Sequence, residues 1–234
     1  PRDWSSDVCS SDLAPLAAAD ALRLGHVDVV TVANNHAMDQ GVAGLRQTLD
    51  VVRAEGIGTI GGGEDRQAAE APLIVERGGL RIAVLGWVDA FTESTGFNTR
   101  EWRAWPRRPG IAIATVAGIG SAVRAARADA DIVIAVIHAG IEYATSPNAE
   151  QRAYAKAALD AGATLVIGHH PHVLQGGERR GGGYVAWSLG NFVFDRMGGA
   201  SETAILDVTL GRDGVRTVRW VPVHLDGSGL PVPG

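Results

Sequence analysis

Cysteine is nearly absent. The 234 residues hold one thiol, Cys9, which excludes an intrachain disulfide framework and a cysteine-rich structural zinc site and leaves the redox compartment unreadable. Long hydrophobic runs are missing too: no apolar stretch reaches the roughly 18–20 residues that a bilayer-spanning helix needs, and no basic, apolar and small-residue series marks a secretion signal. No membrane segment is therefore expected in this chain, which reads as soluble. A basic excess is also lacking. The formal net charge is -5, so neither nucleic acid nor an anionic membrane is expected as a partner. Apolar residues make up 46% and charged residues 20%, the balance of an ordinary globular chain and not of a disordered one. The length suits one large α/β domain.

Residues 1–13 differ in composition from the Ala-, Val- and Gly-rich remainder and carry no period; they are expected to be a foreign or disordered N-terminal segment. A single domain is expected over 14–226 and a loose Gly- and Pro-rich tail over 227–234. Within the domain, 14–25 has helical spacing and leads into the β-branched run Val27-Asp-Val-Val-Thr-Val-Ala33. Apolar residues at 42, 45, 49 and 52 predict a helix that stops at Gly56, and Ile57 to Ile60 predicts a short strand. Residues 72–76 and 81–88 predict a hairpin around Gly78-Gly79.

The stretch 91–110, with Phe91, Phe97, Trp102 and Trp105 among prolines and glycines, predicts a functional surface loop pinned by its aromatic rings. A helix over 117–128, a doubly buried strand Asp131 to His138, a helix over 148–161 and a strand Thr164 to Gly168 predict a βαβ crossover. Strand material is expected at 184–188 and 191–194. A hairpin at a sheet edge is expected from 203–210 and 215–223.

The chain's chemistry gathers where apolar strands stop. Val166-Ile-Gly-His-His-Pro-His-Val-Leu-Gln175 places His169, His170 and His172 within four positions. Two other strands end on Asn34-Asn35-His36 and on His138. In open α/β sheets the carboxyl ends of parallel strands share the ligand-binding edge, so these groups are expected to converge. Several neutral imidazoles together suit a transition metal, an Asn oxygen is a further neutral ligand, and a His outside the ligand set can serve as an acid. Asn34 is expected mainly as a turn former.

These residues resemble the CapA (poly-γ-glutamate capsule biosynthesis) family of the calcineurin-like metallophosphatase superfamily. The resemblance rests on Ala33-Asn-Asn-His-Ala-Met-Asp-Gln-Gly41 with Gly44-Leu45 and Thr48-Leu49, on His138-Ala-Gly-Ile-Glu-Tyr143 with Pro147 and Gln151, on Gly168-His-His-Pro-His-Val-Leu-Gln175, and on Ser188-Leu-Gly-Asn-Phe-Val-Phe-Asp195. It implies a four-layer α/β/β/α sandwich and a dinuclear site of divalent metal ions, with Mn, Fe and Zn equally compatible. It further implies Asn35, His138, His170 and His172 as metal ligands and His36 as the catalytic residue facing the substrate. His169 is placed as support behind the ligands, and Asp39 as a group that orients His36. The family's opening strand ending in Gly-Asp and its later Asn-Leu-Glu segment are not found here. The expectation is thus a domain lacking its N-terminal strands, short of carboxylate ligands, and binding metal weakly or as a single ion.

Two functions follow from the resemblance. One is a metal-dependent hydrolase of metallophosphoesterase type linked to capsule synthesis, acting on a phosphoester or an acidic polymer. The other is a non-catalytic cell-surface component that binds or exports the polymer alongside other capsule-synthesis components, with Arg103, Arg107, Arg108, Arg179 and Arg180 as candidate anchors. The family often works outside the cytoplasm behind an N-terminal anchor, and this sequence contains no such anchor.

Overall fold

The computed structural model describes residues 18–91, 98–194 and 201–233. The expectations for 1–13, Phe97 and Asp195 fall outside them. In chain order, helix α1 (Ala18–Leu24) leads to strand β1 (Val29–Thr31) and helix α2 (Gly41–Ala54), then to strands β2 (Gly58–Ile60) and β3 (Gly62–Gly63). Helix α3 (Arg66–Glu70) and the hairpin β4 (Leu73–Arg77) and β5 (Leu80–Val88) follow. A 3-10 turn at Thr99–Trp102 and strand β6 (Gly110–Ile111) precede helix α4 (Val116–Asp129), strand β7 (Ile132–His138), helix α5 (Ala149–Asp160) and strand β8 (Leu165–His169). The chain continues through β9 (Leu174–Arg180), β10 (Gly183–Leu189), β11 (Glu202–Gly211), β12 (Gly214–Leu225) and β13 (Pro231–Pro233).

Local chemistry explains the helices. In α2 the residues Leu45, Leu49 and Val52 repeat at helical spacing and are buried together. The Thr115 side chain accepts from Gly118 N and starts α4. At α5, Asn148 and Gln151 form a reciprocal capping box.

The main sheet has the order β4-β5-β7-β8-β10-β9, with β5, β7, β8 and β10 parallel and the outer strands β4 and β9 antiparallel. One face carries α4 and α5, whose Ile119, Val123, Ala155 and Ala158 pack on Leu85, Val133, Ala135 and Val166. The other face is covered by a second β layer. There Val215, Leu206, Val208 and Val218 of the β11–β12 hairpin pack on Leu165, Tyr184 and Ala186. Beside them lies the β1–β2 pair, with Thr31 and Ile60 set against Gly86 of β5, and α2 closes that side through Leu45 and Leu49 on Val32 and Ala33. The result is the four-layer α/β/β/α sandwich.

Three expectations are corrected, and one strand is unexpected. The strand ends do not share one sheet: β1 pairs only with β2, in a sheet separate from that of β7 and β8, so the convergence occurs across the sandwich. Leu174–Arg180, Gly- and charge-rich, forms strand β9 because an exposed edge strand needs ladder hydrogen bonds to one neighbour and few apolar side chains. Residues 191–194 form no strand; positive-φ Gly190 turns the chain out of β10 just before them. The tail is not loose, since Pro231–Pro233 pairs antiparallel with β12 after a turn in which Asp226 N donates to Leu230 O at 2.9 Å. Among the described residues no helix is long and apolar enough to cross a membrane.

Candidate metal centre

Three backbone devices aim the site. After β1, the Asn34 side-chain oxygen accepts from His36 N at 2.8 Å, and this turn leaves Asn35 pointing inward, only 4% exposed. Strands β7 and β8 run in register with His138 opposite His169, so two imidazoles leave the sheet side by side. Gly168 lets β8 approach β10 closely, since a Cβ there would lie 2.1 Å from Trp187 O. Beyond it, His170 (φ 107) and His172 (φ 60) hold positive φ, a strained backbone costing roughly 1–3 kcal/mol per residue and typical of functional turns.

The side chains form one connected array. His138 Nε2 donates to Asn35 Oδ1 at 2.9 Å. A neutral imidazole that donates from one nitrogen accepts at the other, so His138 Nδ1 takes the proton offered by His169 Nδ1 at 2.7 Å. On the far side, Asn35 Nδ2 donates to His36 Nε2 at 3.3 Å, and His36 Nδ1 donates to Asp39 Oδ2 at 2.8 Å. His172 Nδ1 donates to Asn191 Oδ1 at 2.7 Å. That bond fixes the tautomer and leaves Nε2 available as a ligand. The His170 ring centroid is 4.7 Å from that of His138 and 6.0 Å from that of His172. Phe91 covers His170 at 4.4 Å and Phe194 covers His172 at 5.1 Å.

Burial, more than the neighbouring imidazoles of His169, His170, His172 and His36, pushes His138 well below its usual pKa. Burial and then His172 lower His169 to about 4. Burial and then His172, His169 and His36 lower His170 to about 3. All three are neutral near pH 7, the protonation state that binds metal. Among the described residues, two buried imidazole nitrogens, His169 Nε2 and His170 Nδ1, have no hydrogen-bond partner. Orphaned buried nitrogens cost about 1–3 kcal/mol each, and the His170 ring lies beside His138, which meets Asn35, and beside His172. These residues fit divalent metal ions.

The structure thus brings together Asn35, His36, Asp39, His138, His169, His170 and His172. It also shows two residues that the sequence reading did not assign. Asn191 holds His172, and Glu142 lies with His170 and His172 in a group whose potential ligand atoms are all within 4.8 Å of one another. Both stand inside the quoted motifs, Ser188-Leu-Gly-Asn191 and His138-Ala-Gly-Ile-Glu142; the available signal was a polar side chain just past the end of an apolar strand. Asp89 points elsewhere, accepting from Tyr154 OH at 2.7 Å.

The arginine anchors are mostly occupied by the fold. Arg179 donates to Val215 O and Arg216 O, Arg180 pairs with Glu178, and Arg108 donates to Glu101 O and Arg103 O. A cavity of ≈ 530 Å³ lined by Arg127, Asp131, Lys156, Asp160 and Arg212 lies at the opposite end of the parallel strands. Its charges pair internally as Arg212–Asp131 and Lys156–Asp160, so the chemistry sits at the histidine edge.

Comparison with known proteins gives the family and the fold. The model of the bacterial capsule synthesis protein family PGA_cap matches residues 5–196. The capsule biosynthesis protein CapA of Bacillus anthracis is 32% identical over 214 residues, covering 91% of this chain and 51% of that protein. The PGA biosynthesis protein CapA of Bacillus subtilis (strain 168) is 34% identical over 207 residues, covering 88% and 52%. The chain spans about half the length of these curated relatives. Among solved structures, a hypothetical protein from Thermus thermophilus aligns with a TM-score of 0.52 at 14% identity, over 88% of this chain and 93% of that one. The sulfate thiohydrolase SoxB of the same organism, in complex with glycerol, aligns with a TM-score of 0.52 at 17% identity, over 93% of this chain and 34% of that one. At such identities the likeness concerns the fold alone.

Proposed function

We propose that this chain, which belongs to the bacterial capsule synthesis protein family PGA_cap, is the metal-binding hydrolase domain of a protein that serves poly-γ-glutamate capsule synthesis. The observation that carries the reading is the convergence of Asn35, His138, His170 and His172 with buried, unpartnered His170 Nδ1. The relatives' names, capsule biosynthesis protein and PGA biosynthesis protein, supply the physiological setting.

Divalent ions held by these residues would supply Lewis-acid polarisation of a phosphoryl or carbonyl oxygen and a more acidic water. The chain's own groups do the rest. Burial keeps His138 and His170 deprotonated at neutral pH. Asn191 holds His172 in the tautomer that leaves Nε2 free, and His169 packs against His138 from behind. His36, whose side chain is 48% exposed, faces outward from the cluster. Backed by Asp39, it takes the task of a general acid in its doubly protonated form, handing the Nε2 proton to a leaving oxygen.

The test pairs metal analysis with turnover of an aryl phosphate and of poly-γ-glutamate, comparing the chain with its His36→Ala variant. Turnover that falls about 10²–10⁴-fold with metal content retained supports the hydrolase. Metal binding without hydrolysis of either compound replaces it with a polymer-binding role.

A further inference from the structure

We infer that Glu142 is a metal ligand, completing with His170 and His172 a two-imidazole, one-carboxylate site for a single divalent transition-metal ion. The inference rests on the metal-binding half of the reading above and is independent of hydrolysis.

The four ligands assigned above, Asn35, His138, His170 and His172, are all neutral, and a dication among neutral donors keeps its whole charge. Glu142 is the carboxylate that the fold brings to them. Its potential ligand atoms and those of His170 and His172 lie within 4.8 Å of one another. Donors at about 2.0–2.2 Å from one tetrahedral ion stand roughly 3.4 Å apart, so the three groups lie within about 1.4 Å of a coordinating arrangement, and Glu142 is exposed. His170 contributes a second, independent sign, a buried Nδ1 without a hydrogen-bond partner.

The carboxylate's position is built by the histidine loop itself. On one side of it, Gly140 takes φ 129, where a Cβ would meet Gln151 Oε1 at 2.8 Å. On the other, Tyr143 adopts φ 61, donates from its backbone N to Pro171 O at 2.8 Å and stacks on His172 at 6.1 Å. Gln175 Nε2 then donates to Ala144 O at 2.8 Å, and Gln151 Nε2 donates to Gln175 Oε1 at 2.9 Å. The backbone flanking Glu142 is thereby tied to the segment that carries His170 and His172, and a left-handed Tyr is a strained conformation. The two segments that carry the three side chains are thus held together by hydrogen bonds and are not a chance meeting of two loops.

The test titrates the whole 234-residue chain with Co(II), following visible absorption and binding heat, for the parent, Glu142→Gln, Glu142→Asp and His172→Ala. Expected is a Co(II) affinity about 10–100-fold weaker in Glu142→Gln with altered visible bands, intermediate affinity in Glu142→Asp, and an unchanged metal-free melting curve for both Glu142 variants. Parent-like affinity and spectrum in Glu142→Gln, with binding lost in His172→Ala, overturns the role of Glu142 and leaves the histidine site standing. A parent chain that binds neither Co(II), Zn(II) nor Mn(II) overturns this inference together with the metal-dependent hydrolase.

Discussion

His138 Nε2 and Asn35 Oδ1 meet at 2.9 Å although 103 positions separate them in the chain. The bond joins the carboxyl end of β7 in the main sheet to the turn after β1 in the second β layer, and both partners are buried. Removing one leaves a buried donor or acceptor unsatisfied, at about 1–3 kcal/mol. Asn35→Ala is therefore expected to lower the melting temperature of the metal-free chain and to weaken metal binding at least about tenfold. Thermal melts in chelator and a metal titration check both; a variant unchanged in both would separate Asn35 from the centre.

Asp39 accepts from His36 Nδ1 at 2.8 Å, an arrangement that fixes the imidazole's orientation. Asp39→Asn keeps the shape and removes the charge. Aryl phosphate turnover is expected to fall about tenfold in kcat with metal content unchanged, a smaller loss than that of His36→Ala. Steady-state kinetics on metal-loaded protein would reveal it, and equal kcat in variant and parent would reduce Asp39 to a residue of the turn.

Asn191 accepts from His172 Nδ1 at 2.7 Å. With Asn191→Leu the ring is free to rotate and to protonate at either nitrogen, so metal affinity is expected to drop about 10–100-fold while the fold persists. Calorimetric titration against the parent measures the change. Affinity equal to the parent's would mean that packing against Phe194 and Tyr143 alone suffices to orient the ring.

The buried histidines predict an acid limit to stability. Folded His169 titrates at about 4 and folded His170 at about 3, below the ordinary value of 6.5. Between those values the unfolded chain binds more protons than the folded one, so stability rises with pH through this window and is fully present above about pH 6.5. Acidifying the metal-free protein from pH 7 towards pH 3 is expected to lower its melting temperature progressively. A melting temperature flat between pH 6.5 and pH 4 would show that these imidazoles are not buried in solution.

The apolar runs determined much of this molecule before any tertiary contact is considered. Ile132 to Ile137 is an unbroken run of β-branched or small residues without charge, which suits only a strand covered on both faces, and Leu45, Leu49 and Val52 repeat at a helical period. Strand ends follow from where such runs stop, so Asn35, His36, His138, His169, His170 and His172 were legible as a set. Edge elements were not, because β9 and β13 are held by backbone ladders that Gly, Pro and charged residues satisfy as readily as loops do. What the tertiary structure alone decided is the partnership. Periodicity cannot say that β1 lies in a different sheet from β7, that Asn191 orients His172, or that strained Gly140 and Tyr143 bring Glu142 to the same imidazoles. Those relations depend on register across layers and on positive-φ turns, which are settled only when the two sheets close on each other.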